Sequence, residues 1–168
     1  MPSLSLAFKP IPPWIWRSLS PFDILLDELK PFLRDSQSIK LIVLDGESMQ
    51  TSNKFYDELA CKLLLPNYFG RNLNALDECL CDLEWLQPAG FILLIRAAQK
   101  LLGSEGVEAL DGFLDVLSRS GKEWSQPITG TSWDRGPIPF HAIFQSDVPT
   151  WRQDLPLIGV RTAKAKKQ

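Results

Sequence analysis

The apolar positions of this chain fall into blocks of two periods, one helical and one extended. Phe22, Leu25, Leu26, Leu29 and Leu33 recur at helical spacing. They predict a helix with Ser20 as N-cap and Pro21 at the first helical position, kinking or ending near Pro31. Residues 39–44 (Ile-Lys-Leu-Ile-Val-Leu) are a short apolar run closed by Asp45-Gly46, which reads as a buried strand and its turn. Thr51 or Ser52 can cap a second helix, with Phe55, Leu59, Ala60, Leu63 and Leu64 on its apolar face and Pro66 as its stop. After a turn at Pro88-Ala89-Gly90, residues 91–95 are a second near-continuous apolar strand. Ser104 or Gly106 begins a helix that buries Leu110, Phe113, Leu114 and Leu117, with Gly121 as its C-cap. Residues 122–137 read as a long loop rich in Trp, Gly and Pro, and residues 138–145 as a third strand. Residues 1–20 read as an irregular arm that lays Trp14 and Trp16 on the domain. Strands alternating with helices predict a parallel sheet covered by helices.

Between the second helix and the second strand lies the stretch around which the chain is organised, residues 65–86. Pro66 breaks the preceding helix, the aromatic pair Tyr68 and Phe69 follows, and Gly70 is a backbone requirement of the turn, with positive φ expected there. Asn72 stands where an N-cap belongs. Leu73, Leu76, Leu80 and Leu83 then form one helical face, while Asn74, Asp77, Glu78, Cys81, Asp82 and Glu84 lie off it. Asn74, Glu78 and Asp82 are spaced four apart and stack in one exposed line that contains no Lys or Arg. Acids at i and i+4 repel, so this ridge is mildly unfavourable for the helix alone. It is either a solvated face or a docking surface for a basic partner.

Composition narrows the choice. With 168 residues, 45% of them apolar, the chain can bury one substantial core, so one domain is expected. There is no apolar run of membrane-spanning length. Lys9 and three prolines interrupt the apolar residues near the start, and no early basic cluster precedes them, which argues against a signal peptide. Three cysteines, an odd number, argue against a disulfide framework, and the expectation is reduced packing thiols in a cytoplasmic protein. The formal net charge is −2, yet residues 40–121 hold seven basic and twelve acidic side chains, a balance of −5, offset in part by Arg161, Lys164, Lys166 and Lys167. Such a region disfavours nucleic acid and favours a basic protein partner. The single histidine, His141, lies in a strand between Phe140 and Ala142 and reads as structural. No CxxC, HExxH, EF-hand or phosphate-binding loop occurs, so neither metal nor cofactor is expected. Asp45-Gly46 reads as a turn rather than a catalytic carboxylate.

Pro66, Tyr68, Phe69, Gly70, Asn72, Leu73, Ala75, Leu76, Cys79 and Leu80 match, in order and without gaps, the core motif of the barstar family, intracellular protein inhibitors of secreted bacterial ribonucleases. A weaker similarity covers residues 40–121. The resemblance implies an α/β fold with a small three-stranded parallel sheet packed with helices. To this the chain adds an N-terminal arm and helix (1–36) before a core (37–146), and an irregular C-terminal tail (147–168). It implies a non-enzymatic inhibitor or antitoxin that plugs the basic active site of a cognate toxin, most naturally a ribonuclease, and stays monomeric until bound. No nucleic acid, membrane or cofactor is expected to take part. The family's inhibitory tyrosine is matched by Tyr68 and its dominant acid by Glu78. Its first helix acid is replaced by Asn74 and its bulky aromatic by Asp77, and a later-helix acid falls near Val116, with Asp115 beside it. The expected partner-binding residues are thus Tyr68, Gly70, Asn72, Asn74, Asp77, Glu78, Cys81 and Asp82. Other readings are an immunity protein against a toxin that is not a nuclease, a small α/β enzyme, and an interaction module of a larger assembly.

Overall fold

The computed structural model describes residues 2–36, 38–87 and 89–159; Pro88 of the expected turn and the basic residues of the tail lie outside them. Among the described residues four strands form the sheet: β1 (Ile15–Ser18), β2 (Ile39–Asp45), β3 (Gly90–Arg96) and β4 (Phe140–Gln145). Four α-helices among the same residues accompany them: α1 (Phe22–Asp35), α2 (Ser52–Lys62), α3 (Leu73–Asp82) and α4 (Val107–Trp124). The sheet order is β1-β4-β3-β2 and every neighbouring pair is parallel. Parallel neighbours need crossover connections, which is why helices separate the strands in sequence.

β3 is buried along almost its whole length, because helices cover both sides of the sheet. Its side chains alternate between two cores. Phe91, Leu93 and Ile95 face α2, α3 and α4, in a cluster with Phe55, Leu59, Leu76, Leu80, Phe113, Leu117 and Trp124. Ile92 and Leu94 face α1 and the N-terminal turn, in a second cluster with Leu4, Ala7, Trp16, Leu25, Leu29 and Ile143. The candidate helix α3 therefore belongs to the larger core, and the N-terminal arm to the smaller one.

The sheet has four strands, not the expected three, because the arm is not irregular: Ile15 to Ser18 pair with Ala142 to Gln145. The outer side of this strand is engaged in turn. The Arg17 backbone N–H donates to the Pro156 carbonyl, and the Ile158 N–H donates to the Arg17 carbonyl. Four residues following three prolines carry too little alternation to announce a strand; the β4 partner, far along the chain, supplies it. The start of α1 also differs, with Pro21 rather than Ser20 at the cap position. Nor does the helix end at Pro31, which sits within it at an exposed position, where a missing backbone hydrogen bond costs least.

Gly121 does not cap α4, which runs on to Trp124. The glycine is there because the Trp14 ring lies against the helix: a Cβ at this position would collide with Trp14 Cγ and Cβ. The loop after α4 is ordered by Arg135, whose Nη1 donates to the carbonyls of Trp124 and Gln126 while its guanidinium lies 4.3 Å from the Trp124 ring centroid.

Candidate functional site

The turn into α3 sorts the aromatic pair. Phe69 packs edge-on against Tyr56 and the larger core, whereas Tyr68 is 81% exposed. Positive φ falls on Arg71 (φ 53), not on Gly70. Arg71 is held in that conformation by its side chain, which donates from Nη1 to Asp57 Oδ1 (2.6 Å) and from Nη2 to the Asn53 carbonyl. Asn72 closes the turn and caps the helix at once: Oδ1 accepts from the Ala75 N–H (2.9 Å) and Nδ2 donates to the Gly70 carbonyl (3.0 Å). Gly70 and Asn72 are both exposed.

Beyond the cap, Leu76, Cys79 and Leu80 are buried, and Leu83 ends the helix in the left-handed conformation. Asn74, Glu78 and Asp82 are all exposed, as the four-residue spacing required. Glu78, Asp82 and the following Glu84 take part in no ion pair among the described residues. Asp82 stands in the last turn, where the helix dipole disfavours an acid and where no basic residue offsets it. Local stability gives no reason for an acid there. Trp85 and Leu64, both exposed, border this end, with the Trp85 indole N–H donating to the Leu63 carbonyl (3.0 Å).

Asp77 and Cys81 are placed differently from the ridge. Both are half-buried and turned toward α4. Arg119 Nε of α4 lies 3.1 and 3.2 Å from the two Asp77 carboxylate oxygens. The Cys81 thiol lies 4.0 Å from Ser120 Oγ. Burial, then the Asp77 carboxylate, push the Cys81 thiol up, and burial, then Asp82 and Glu78, do the same to Cys79. Both thiols are therefore protonated near neutrality and poor nucleophiles. Val116 is buried in the core, Asp115 beside it is exposed, and among the described residues the charged α4 side chain that pairs with α3 is the cation Arg119. Sequence reasoning missed Arg119, since nothing local marks a residue whose partner lies on another helix.

His141 lies on the opposite side of the sheet. Its Nε2–H donates to the Lys9 carbonyl (2.7 Å) and its Nδ1 accepts from the Trp16 indole N–H (3.3 Å), which fixes the neutral tautomer. Burial lowers its pKa. It has no cysteine to activate, because Cys61 belongs to α2 and Cys79 and Cys81 to α3, both on the other side of the sheet. Among the described residues no group of three His, Cys, Asp or Glu side chains could hold a metal ion, and no helix is long and apolar enough to cross a membrane.

The arrangement at α3 is thus a capped helix that presents, beside an exposed tyrosine, carboxylates in no ion pair among the described residues. Comparison with known proteins places the chain in a family. The family described as Barstar (barnase inhibitor) matches residues 39–145, from the start of β2 to the end of β4. A protein of Bacillus subtilis (strain 168) named "Putative ribonuclease inhibitor YrdF" is 40% identical over 87 residues, which is 51% of this chain and 89% of that protein. The match covers more than half of the chain and includes the whole of α3, so the chain belongs to the barstar family.

Proposed function

We propose that this chain is a cytoplasmic, non-enzymatic inhibitor that binds the basic active site of a cognate toxin, a ribonuclease, and occludes it. A ribonuclease site must hold phosphate, so it gathers cations. Glu78 and Asp82 offer carboxylates to those cations, with Tyr68, Gly70, Asn72 and Asn74 as the uncharged neighbours. The observation that carries this reading is the row of exposed carboxylates on α3 without an intramolecular cation, one of them at the helix end where it is locally unfavourable. The relative named as a ribonuclease inhibitor favours a nuclease over another toxin class.

Charge complementarity of this kind speeds encounter and rejects acidic partners. The barnase–barstar pair is the reference case for such steering, and the size of the effect belongs to that pair. Asp77 and Cys81 enter differently from the ridge residues: they hold α3 against α4 and keep its face in place.

The experiment is inhibition of RNA cleavage by the purified chain, titrated against barnase and against the toxin encoded beside this gene. Stoichiometric inhibition of either is expected. Tight binding to a neighbouring toxin that cleaves no RNA would transfer the reading to a different toxin class. Turnover of a substrate by the chain alone would overturn it.

A further inference from the structure

Arg119 is a cation placed against an acidic face, and the occlusion reading gives it no part. Its Nε is shared by both oxygens of Asp77, whose side chain is only 29% exposed. The pair stands at a cleft of about 410 Å³ between α3 and α4, lined also by Cys81, Lys122, Glu123 and Gln126. Asp115 and Glu123 lie one turn to either side of Arg119 on α4.

The consequence is a shift of charge along α3. Asn74 carries none, and Asp77 is cancelled within the pair, which from outside is a small dipole rather than an anion. The first turn and a half of the helix therefore offers a partner little net charge. The field begins at Glu78 and continues at Asp82, four residues and about 6 Å further along the axis, then at Glu84. The exposed Trp85 and Leu64 border the same end. Large apolar side chains beside unpaired charges are the usual make-up of an interface centre.

We propose that Arg119 is a specificity-determining residue. By neutralising Asp77 it confines the cation-accepting part of the face to Glu78, Asp82 and Glu84, so that the chain selects a partner whose basic cleft meets the C-terminal half of α3. This rests on the reading of α3 as the contact face.

The test uses a deca-lysine peptide, which senses the exposed charge of the full chain whatever toxin it meets. The peptide is titrated at low ionic strength while backbone amide resonances are followed. For the parent chain, perturbed amides are expected around residues 78–86 and not around 72–77. Arg119→Gln should tighten binding at least about threefold, since it uncovers a carboxylate at low salt, and should extend the perturbed region back to Asp77. Asp77→Asn added to Arg119→Gln should reverse both changes. Asp23→Asn on α1, which packs on the other side of the sheet, serves as the control for overall charge. A parent footprint centred on 72–77 would overturn the proposal. So would an Arg119→Gln footprint unchanged from the parent, or a reversal by Asp77→Asn no larger than the effect of Asp23→Asn. Loss of ribonuclease inhibition is read separately, so a failure of the inhibitor reading is distinguishable from a failure here.

Discussion

The indole N–H of Trp16 donates to Nδ1 of His141 across 3.3 Å, joining β1 to β4 through their side chains as well as their backbones. The other ring nitrogen donates to the Lys9 carbonyl, so one buried imidazole fastens both the strand and the turn that precedes it. Protonation at Nδ1 would set a donor against the indole donor in a buried site, which the carbonyls of Lys9 and Pro13 offset only in part.

A pH dependence follows. Burial holds the folded pKa of His141 below its ordinary value of about 6.5. Above that value the ring is neutral in both states and its contribution is complete. As pH falls below it the unfolded chain takes up a proton first, and stability drops until the folded pKa is passed. This is the chain's single histidine, so urea unfolding at pH 7.0 and 5.5 isolates it. A loss of at most about 1.4 kcal/mol per pH unit is expected in that window, and it should vanish in His141→Gln, which will be less stable throughout. Equal stability at both values would contradict this.

Gly121 and Trp14 give a test of opposite signs. Alanine normally favours a helix interior over glycine by about 0.8–1.0 kcal/mol. Here its Cβ would collide with the Trp14 ring, so Gly121→Ala should destabilise by about 1–3 kcal/mol, the usual range for overpacking. In a Trp14→Ala background the same change should be neutral or stabilising. A double-mutant cycle by chemical denaturation measures it, and no coupling between the two sites would remove the packing argument.

The N-terminal arm is expected to matter more for stability than for recognition. A chain starting at residue 19 loses Trp16, Leu4 and Ala7 from the smaller core and leaves the β4 edge unpaired. Loss of one such buried aromatic alone costs about 3–5 kcal/mol, a large part of a typical domain's stability. Thermal melts of the two chains, each with an inhibition assay on the folded fraction, decide it. An unchanged melt would deny the arm its structural role; lost inhibition with an unchanged melt would move the contact face to the arm.

What the sequence disclosed and what it hid follow one division. β3 and β4 were legible because both of their sides are buried, and the half-buried edge strand β2 because its residues 39–44 are apolar except Lys40; such runs stand out locally. The start of α3 was legible because Asn72 caps it through its own side chain, three residues from the N–H it serves. β1 was not, because its four residues become a strand only by meeting β4. Arg119 was missed and Gly121 misread for the same reason: each is explained by a contact with an element distant in sequence. The positive φ moved from Gly70 to Arg71 because side-chain bonds to α2 can hold a non-glycine residue there.

Ionic strength separates steering from tight fit. If the unpaired carboxylates of α3 guide the partner in, the association rate with the inhibited ribonuclease should fall steeply from low to high salt, while dissociation changes little. Stopped-flow mixing across a salt series provides both rates. A salt-independent association rate would count against electrostatic docking at this face.

The most direct measurement is the affinity of Glu78→Ala for the ribonuclease that the parent chain inhibits. Glu78 is exposed and joins no ion pair among the described residues, so its removal should leave folding intact. Expected is a loss of at least about 2 kcal/mol, the level that marks an interface anchor, equivalent to roughly thirtyfold in dissociation constant. A variant that folds normally and binds as tightly as the parent would show that the acidic ridge of α3 is solvated surface and not the site of inhibition.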